Sequence, residues 1–583
     1  MMSELPDLPD CVISHIFSKL SLKSLVKTSA LSKQWYHEWG LRKDLNFDLH
    51  NMFDYNTIPK FPITLTLFQE LQSLFATRMD NFMQKYHGDM IRSIRINFPL
   101  DAHHTHVING LIHKGVVKGA NRIELLFAHH TRHIHFNIQR YKFVFPFLSC
   151  TNSVTYLHLQ NCRIAAPMEF SGFKNLTTLV LQLLPVDQNI LQPLFFNCIY
   201  LQNLTLNQCT FRSDLTITSP TLLHFNINCG RVIGGMKTNI HIIASNLLSM
   251  EYSSYFCLRH TLNFNSPMLS KFSYSCRRIS NLVDFSGLKN MTTIVLDGLL
   301  DCLQTDVITH LFSKCLLLEH VTFNNCKFTC DLKIRSATLL HLRIVNCLYK
   351  NLRYDFSPKL DIDALNLSSF EYRSHTVMRP VISLAAPKLF KVFWDAGFRK
   401  RNVYHFPKIA RLHLVQNLTM NMTFSQIPKL TKDLVRFQNL KQLKLFIVGA
   451  YNPKMDYFWI LDIAMVSQHL QKLSLTIRNG HTERSHMVRS GRQRREYAKF
   501  CHNELKYVEL HGCVCSINVI ELASHLLRSA TLLKQITFSS RRNFYRGAGR
   551  WSKDPDNCRW FQHDLIHQHL KHEVNQQCHL IIF

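Results

Sequence analysis

Cysteine is the residue type in this 583-residue chain whose spacing first suggests chemistry, because five of its 18 cysteines recur at one place in a pattern. Each follows a pair of alternating apolar residues at a fixed distance, and the five are Cys162, Cys209, Cys326, Cys347 and Cys513. No base and orienting group can be placed beside them, as a thiol nucleophile would require. We therefore interpret these cysteines as structural thiols.

The 33 histidines contain two dense clusters, His103-His104-Thr105-His106 and a second cluster over residues 129–135. On a strand, His133 and His135 would share one face and could bind zinc. With so many histidines, clusters also arise by chance, and we interpret these as surface or partly buried side chains. Gly547-Ala548-Gly549 lacks the third glycine of a phosphate-binding loop. We therefore expect no metal, no cofactor and no catalytic role.

Arginine runs contribute to a formal net charge of +29. One run lies in residues 489–495, and a second, in residues 541–550, is interleaved with aromatic side chains. Aromatic and arginine side chains together can bind single-stranded nucleic acid, but neither run belongs to a recognised nucleic-acid module. A solvated basic loop, a nuclear-import signal and a surface for an acidic or phosphorylated peptide fit the same residues. Nucleic acid is therefore the less favoured partner.

A short phrase of apolar, two variable, apolar, variable and apolar residues returns throughout the chain after residue 90. Clear copies are VTYLHL (154–159), LTTLVL (176–181), LQNLTL (201–206), LEHVTF (318–323), LLHLRI (339–344), IARLHL (409–414) and LKQLKL (440–445). The intervals are roughly 21 to 25 residues, the period of leucine-rich repeats, in which Cys or Asn follows the strand. Asn417 occupies that place after IARLHL. The pattern predicts an α/β solenoid with a parallel sheet on its concave face.

A longer repetition supports the same architecture. SGFKNLTTLVL, which starts at residue 171, recurs as SGLKNMTTIVL from residue 286, and TSPTLLHFNI from residue 218 recurs as RSATLLHLRI from residue 335. A block of several repeats therefore looks duplicated. Beyond about residue 400 the intervals lengthen to roughly 28 to 35 residues, so loops or short helices must fill them.

The opening segment, residues 5–40, reads differently from the repeats. Val12, Ile16 and Leu20 fall on one face of a helix after Pro9. Ser21 can cap a second helix that carries Leu22, Leu25 and Val26, and a third would present Trp35 and Trp39. Three such short helices bury little alone, so some of these residues need a partner chain or the adjoining repeats.

The segment LPDCVISHIFSKLSLKSLVKTSALSKQW resembles an F-box, with Leu8-Pro9 at its start and Leu31-Ser32-Lys33 followed by Trp35 at its end. An F-box ahead of leucine-rich repeats is similar to the plant F-box/leucine-rich-repeat proteins, and residues 505–538 resemble their FBD region. The resemblance divides the chain into an F-box (1–45), a linker or atypical cap repeat (46–90), the repeat solenoid (91–500) and FBD-like terminal repeats with a basic cap (501–583).

The resemblance implies a non-catalytic substrate receptor of an SCF-type ubiquitin ligase. Its F-box would bind a Skp-type adaptor and, through it, a cullin scaffold, while the repeats hold an unidentified target protein. The residues implied in adaptor contact or F-box packing are Leu8, Pro9, Val12, Ile16, Leu20, Leu25, Val26, Leu31 and Trp35. The alternative is a basic leucine-rich-repeat scaffold that binds nucleic acid or acidic proteins without a ligase role.

The chain start, MMSELPDLPD, lacks the basic and then apolar run of a signal peptide, and no uninterrupted apolar stretch reaches 18 residues. The thinly spread cysteines do not form a close disulfide framework. We therefore expect reduced thiols, no membrane association, and a protein of the nucleus, the cytoplasm or both.

Overall fold

The computed structural model divides into two units, Met1–Asn290 and Met291–Phe583. It describes all of the chain except residues 1–8, 29–39, 41, 55–63, 129–138, 146–151, 166–171, 212, 230–237, 255–260, 278–287, 301–302, 304, 330, 350–357, 375–379, 396–407, 410–411, 424–425, 428–436, 449–456, 479–499, 513–516, 541–542, 548–549, 554–562 and 575–576. Each unit is built on its own run of parallel strands.

In the first unit, successive strands pair in parallel and in chain order from β1 onwards. They are β1 (Asp44–Asp48), β2 (Ser93–Asn97), β3 (Arg122–Leu126), β4 (Tyr156–Gln160), β5 (Thr178–Gln182), β6 (Asn203–Phe211), β7 (His224–Cys229), β8 (Ser249–Ser254) and β9 (Lys271–Cys276). Burial alternates along most of these strands, so one face packs inward and the other faces solvent. We call the latter the open face.

The second unit repeats this arrangement with strands of similar length, again paired in parallel and in chain order. They are β10 (Thr293–Asp297), β11 (His320–Asn324), β12 (His341–Val345), β13 (Ser369–Arg373), β14 (Lys391–Asp395), β15 (Asn417–Thr423), β16 (Gln442–Val448), β17 (Lys472–Arg478), β18 (Tyr507–Gly512), β19 (Gln535–Ser539) and β20 (His579–Ile582).

Helices or second strands connect these strands. The helices are α1 (Asp10–Lys19), α2 (Leu22–Thr28), α3 (Leu49–Met52), α4 (Leu65–Gln84), α5 (Thr105–Val117), α6 (Gln188–Asn197), α7 (Thr305–Lys314), α8 (Trp459–Val466), α9 (Ile517–Ser529) and α10 (His563–Leu570), with short 3-10 turns at Ala102–His104 and Leu412–Leu414. Where no helix intervenes, a strand belongs to a smaller sheet. These smaller sheets pair Lys142–Val144 with Arg163–Ala165, Leu215–Thr218 with Asn239–Ile243 and Thr261–Asn265, Lys327–Phe328 with Leu348–Tyr349, and Leu332–Ser336 with Lys359–Ala364, Val381–Ala385 and Lys408–Ile409, while Pro185–Val186 pairs with the end of β6.

The predicted apolar phrase forms the inner row of these strands, which confirms the α/β solenoid class. In the first unit the fourth positions of the phrase stand opposite one another from strand to strand. They are Leu157, Leu179, Leu204, Phe225, Met250 and Phe272, and all are at most 1% exposed. In the second unit the same row begins at Ile294 and Val321. Since one repeat cannot cover its own apolar face, each strand is buried by its neighbours.

One copy of the phrase, IARLHL (409–414), is wrong as a repeat strand. Leu412–Leu414 forms a 3-10 turn, and the next strand of the row is β15, with Leu418 and Met420 fully buried. Asn417 is therefore the first residue of a strand and not the residue that follows one. The residues from Leu418 to Met422 also alternate between apolar and polar, and this segment, rather than IARLHL, forms the strand.

The segment between the opening helices and residue 91 holds a strand and a long helix. β1 pairs with β2, so the first sheet already begins at Asp44. Helix α4 buries an apolar side that includes Phe68, Phe75 and Phe82, and the rings of Phe75 and Phe98 lie 4.5 Å apart. The phenylalanines of α4 thus pack against residues in β1 and just after β2.

Helix α5 packs on β2 through Gly115. A Cβ atom at Gly115 would lie 1.9 Å from Cδ1 of the buried Ile94, whereas a Cβ at Gly110 in the same helix meets nothing within 4 Å. We predict that Gly115→Ala lowers the free energy of unfolding by about 1–3 kcal/mol through overpacking. Gly110→Ala, the matched control, should raise it by about 0.5–1 kcal/mol through helix propensity. Urea unfolding followed by circular dichroism measures both, and equal effects would contradict this packing.

Candidate functional site

Helix α1 carries the first apolar face that the sequence predicts. Pro9 precedes it with extended backbone angles of −56° and 144°, which suit the residue before a helix. Phe17 is fully buried, Ile16 and Leu20 are partly buried, and Val12 is 39% exposed. The helix therefore packs through one side and leaves an apolar residue accessible on another.

Helix α2 is capped as predicted, because the Ser24 backbone N–H donates to Ser21 Oγ at 3.2 Å. Leu22 and Leu25 are fully buried, whereas Val26 is 40% exposed. Leu25 thus belongs to the packed interior. Val26 lies at the surface, where a partner can reach it.

Arg42 connects α1 to the first strand. Its Nη1 donates to the carbonyl oxygens of Phe17, at 2.8 Å, and Leu20, and its Nε donates to Asp44 O at 3.0 Å. Burial lowers the pKa of this guanidinium, and the carboxylates of Asp44 and Asp48 oppose that effect. A cation at the carbonyl end of a helix satisfies acceptors that have no partner within the helix. The orientation of α1 is therefore fixed relative to β1.

Tyr86 and a close approach of Gly40 to Gly88 hold the chain in place just before β1. The Tyr86 hydroxyl lies 2.8 Å from Arg42 O and 3.1 Å from Gly40 O, and burial raises the pKa of this phenol to about 12, so it stays protonated. A Cβ at Gly88 would lie 2.4 Å from Gly40 O. Any side chain at Gly88 would therefore push the two segments apart.

Two lysines of helix α2 contact Phe53 and Asp54. Lys23 Nζ donates to Phe53 O and lies 3.4 Å from Asp54 Oδ1, and Lys27 Nζ lies 3.6 Å from Asp54 Oδ2. The hydrogen bond from Lys23 is the main cause that lowers the pKa of the Asp54 carboxyl. Exposed ion pairs of this kind add little stability. The buried leucines of α2 therefore contribute most of the attachment.

A groove with a cavity volume of about 290 Å³ lies between α2, α3 and α4. Its lining has an apolar floor and a basic rim, and consists of Leu22, Lys23, Val26, Lys27, Met52, Arg78, Asn81, Phe82 and Lys85. Arg78 Nη1 donates to Met52 O at 2.7 Å, and its guanidinium carbon lies 4.3 Å from the centre of the Phe53 ring. Val26 therefore lines the groove and is also partly exposed on the surface of α2.

The described residues place part of the predicted F-box site. Leu8, Leu31, Trp35 and the predicted third helix lie outside them, and the adaptor contacts named from the sequence stay predictions. The sequence analysis missed Arg42, which binds the carbonyl end of α1, and Tyr86, which donates to the backbone of Arg42. The neighbouring sequence contains no signal for these two residues, because their partners are backbone carbonyls distant in sequence.

Four of the repeat cysteines are buried: Cys162, Cys326 and Cys347 lie just beyond their strands, and Cys209 lies near the end of β6. The thiol of Cys209 donates to Leu181 O at 3.2 Å, and the thiol of Cys326 donates to Leu296 O at 3.3 Å. Both acceptors belong to the preceding strand of the same sheet. Cys347 makes the equivalent bond to Phe323 O at 3.4 Å. These thiols thus join each turn to the backbone of the preceding strand.

The residue before each of these cysteines has a left-handed backbone. Its φ is 54° at Asn161, 52° at Gln208, 51° at Asn325 and 53° at Asn346. Asparagine tolerates this conformation better than most residues, which accounts for the recurring Asn-Cys pair. Cys162 occupies the same place, whereas Cys513 lies outside the described residues.

The described part of the chain provides no metal centre, since no three His, Cys, Asp or Glu side chains come together there. His104 Nδ1 instead lies 2.9 Å from Asp101 Oδ1. His133, His135 and the 489–495 arginine run lie outside the described residues. Residues Asn543–Gly547 and Arg550–Lys553 form an antiparallel hairpin where the sequence favours a loop. None of the described helices has both the length and the hydropathy to cross a bilayer.

An F-box ahead of a one-strand-per-repeat parallel array defines an F-box/leucine-rich-repeat protein. The family model described as F-box domain matches residues 5–43. The chain belongs to the family described as At1g61320/AtMIF1, LRR domain, whose model matches residues 82–296 and 269–575. Both resemblances that the sequence suggested are therefore confirmed.

Three proteins of Arabidopsis thaliana illustrate the relationship. The FBD-associated F-box protein At1g66310 is 26% identical over 240 residues, 38% of this chain and 46% of that protein. The putative F-box/LRR-repeat protein At1g56400 is 23% identical over 301 residues, 51% of this chain and 54% of that protein. The putative F-box/LRR-repeat protein At5g02930 is 40% identical over 47 residues, 8% of this chain and 10% of that protein. The chain thus spans about half the length of the first two relatives.

Burial should make the repeat cysteines unreactive. It raises the pKa of Cys162 and of Cys209 from 9.0 to about 12, while Cys11 and Cys501 are exposed. A rise of this size lowers the thiolate fraction near neutral pH by about three orders of magnitude, and only the thiolate is nucleophilic. We predict that iodoacetamide labels Cys11 and Cys501 in the native protein and leaves Cys162 and Cys209 unmodified.

Mass spectrometry of tryptic peptides measures the labelling, and a sample in 6 M guanidinium chloride, in which the protein unfolds, should be alkylated at all four cysteines. Rapid native labelling of Cys209 would contradict its place in the interior.

Proposed function

We propose that this chain is the substrate-recognition subunit of an SCF-type ubiquitin ligase. The F-box binds a Skp-type adaptor and, through it, a cullin scaffold. The leucine-rich repeats bind the target protein. The protein acts in the nucleus, the cytoplasm or both.

The observation that carries this proposal is the order of the two domains, with an F-box at residues 5–43 ahead of the repeats. The geometry of the F-box helices adds support. Phe17, Leu22 and Leu25 are buried against the protein itself, whereas Val12 and Val26 remain about two-fifths exposed. Apolar side chains in that position are available to an adaptor after the domain has folded.

In this role the chain does no chemistry. It raises the effective concentration of the target near a ubiquitin-conjugating enzyme that the same complex carries. Such a mechanism requires a defined orientation between the adaptor and the repeats. Arg42 joins α1 to the first strand, and Tyr86 donates to the backbone of Arg42, which supports such an orientation.

We predict that Val12→Asp combined with Val26→Asp lowers capture of a Skp-type adaptor at least tenfold. Burying two unpaired carboxylates in an interface costs several kcal/mol, and about 1.4 kcal/mol already corresponds to tenfold. Co-purification of the full chain with a plant Skp-type adaptor measures the capture. Val117→Asp is the matched control, because Val117 is 68% exposed at the end of α5, apart from the F-box.

Circular dichroism must show that each variant is folded. A Leu8→Ala, Pro9→Ala variant provides a second, less disruptive change in the F-box. If the folded wild-type chain captures no adaptor, the proposal is wrong. Steep salt dependence of RNA binding would then favour the basic scaffold.

A further inference from the structure

The groove between α2, α3 and α4 combines an apolar floor with a cationic rim. Leu22 is fully buried, and Met52 and Phe82 are 5% and 4% exposed, so these three side chains form the floor. Four cations belong to the rim, namely Lys23, Lys27, Arg78 and Lys85. A concave surface of this kind can hold an apolar group and a negative charge at the same time.

Helix periodicity brings the four cations to the groove. Lys23 and Lys27 lie four residues apart on α2, and Arg78 and Lys85 lie seven residues apart on α4. Residues at these spacings share one face of a helix. Because the groove lies between the two helices, cations border it on both sides.

Carboxylates on the same elements compensate only part of this charge. Asp54 lies at the edge of the groove, where it pairs with both lysines of α2. Asp48 instead caps the start of α3, and Asp80 accepts a hydrogen bond from a glutamine one turn further along α4. Glu70 lies about 12 Å along the axis of α4 from the first residue of that helix in the groove. Among the described residues, four cations and one adjacent carboxylate thus leave a surplus of three positive charges at the groove.

Two of the four cations are available to a ligand. Lys23 and Arg78 donate to backbone carbonyls beside the groove. The Lys27 side chain is 71% exposed, and its Nζ lies 3.6 Å from a carboxylate oxygen of Asp54, in an ion pair of the kind that contributes little energy. Within the described part of the chain, no hydrogen bond or ion pair involves Lys85 Nζ. Lys27 and Lys85 can therefore turn to an incoming anion.

We propose that this groove binds a small anion with an apolar body, of the class of the medium-chain monocarboxylates. Its carboxylate pairs with Lys27 and Lys85, and its alkyl chain covers the apolar floor. The cavity volume of about 290 Å³, at roughly 30 Å³ per non-hydrogen atom as in liquid water, holds about ten such atoms, as many as octanoate has. The inference goes beyond the proposed function, because this ligand is neither the adaptor nor the target.

The lining favours such a ligand over an inorganic anion or a nucleic acid. A phosphate or sulfate ion has no apolar surface to place on Leu22, Met52 and Phe82. Nucleic acid needs cations that follow successive phosphates along a strand, whereas these cations surround one small cavity. Burial of an alkyl chain adds about fourfold in affinity for each methylene group. Affinity should therefore depend on both the charge and the chain length of the ligand.

The test uses the full chain and isothermal titration calorimetry. The probes are octanoate, hexanoate, acetate, 1-octanol and inorganic phosphate. We expect octanoate to bind with a Kd of about 1 mM or lower, and hexanoate, which lacks two methylene groups, about tenfold more weakly. 1-Octanol should bind at least tenfold more weakly than octanoate, because it lacks a charged hydrogen-bonding group. Acetate and inorganic phosphate, which lack the apolar body, should bind more weakly still.

The decisive variant is Lys27→Gln combined with Lys85→Gln, which keeps two long polar side chains and removes both charges. It should bind octanoate at least tenfold more weakly, whereas Lys27→Arg combined with Lys85→Arg, which keeps the charges, should retain the binding. Lys174→Gln is the matched control, because Lys174 is exposed just before β5, apart from the groove. It should bind as the wild type does.

A second variant tests the cavity and not the charge. Asn81 is exposed and lines the groove, so the larger side chain of Asn81→Trp should occupy the space of the ligand. This variant should weaken octanoate binding at least tenfold with both lysines in place. Circular dichroism must show that each variant is folded.

Three results would overturn the site: no saturable octanoate binding by the wild type, acetate or inorganic phosphate that binds as tightly as octanoate, or unchanged octanoate binding in the folded Lys-to-Gln and Asn81→Trp variants. The wild-type comparison of the probes decides even if a variant does not fold. Adaptor capture is measured separately. Octanoate binding without adaptor capture would therefore refute the ligase role and leave the groove site standing.

Discussion

Parallel stacking in a fixed register is the constraint on which the rest of this structure depends. Most strands bury at least two apolar side chains and pair with a strand on either side, so a shift of one residue would turn these apolar residues to solvent. The chain must therefore turn out of every strand at the same position along the strand direction, and it must enter the next strand in the same register. The left-handed residues Asn161, Asn325 and Asn346 make that exit, and the buried thiols that follow satisfy the carbonyls of the preceding strand.

The same register determines where the polar groups of the open face meet. Arg95, Glu124 and His158 are distant in sequence and come together because β2, β3 and β4 are aligned. It also gives the F-box helices a rigid base, since Arg42 binds carbonyls of α1 through its guanidinium and the first strand through its Nε. The row of Arg95, Glu124 and His158 and the two F-box helices are thus attached to one sheet within the first unit.

The sequence was sufficient to predict the repeat, because the apolar phrase reports directly which residues point inward. It failed at IARLHL, where apolar spacing alone does not distinguish a turn from the strand that follows it at Asn417. It gave no sign of Arg42 and Tyr86, whose partners are backbone carbonyls, nor of the pairing between Arg122 and Glu124, which needs the register of two strands. Unlike the repeat cysteines, Arg42 and Tyr86 each occur once and therefore belong to no periodic pattern, and periodicity is what a single sequence displays.

Duplication of a block has a consequence for how such a chain grows. Helices α6 and α7 begin at residues 188 and 305, an offset of 117 residues. Each helix is followed by two strands of its sheet. Each of these strands has a buried cysteine at or just beyond its end, and in three of the four an Asn or Gln with a left-handed backbone precedes that cysteine. A block whose first and last strands keep the register of the sheet can be duplicated without disturbing the strands on either side of it. Binding surface can therefore be added in evolution by lengthening the array, with no redesign of its interior.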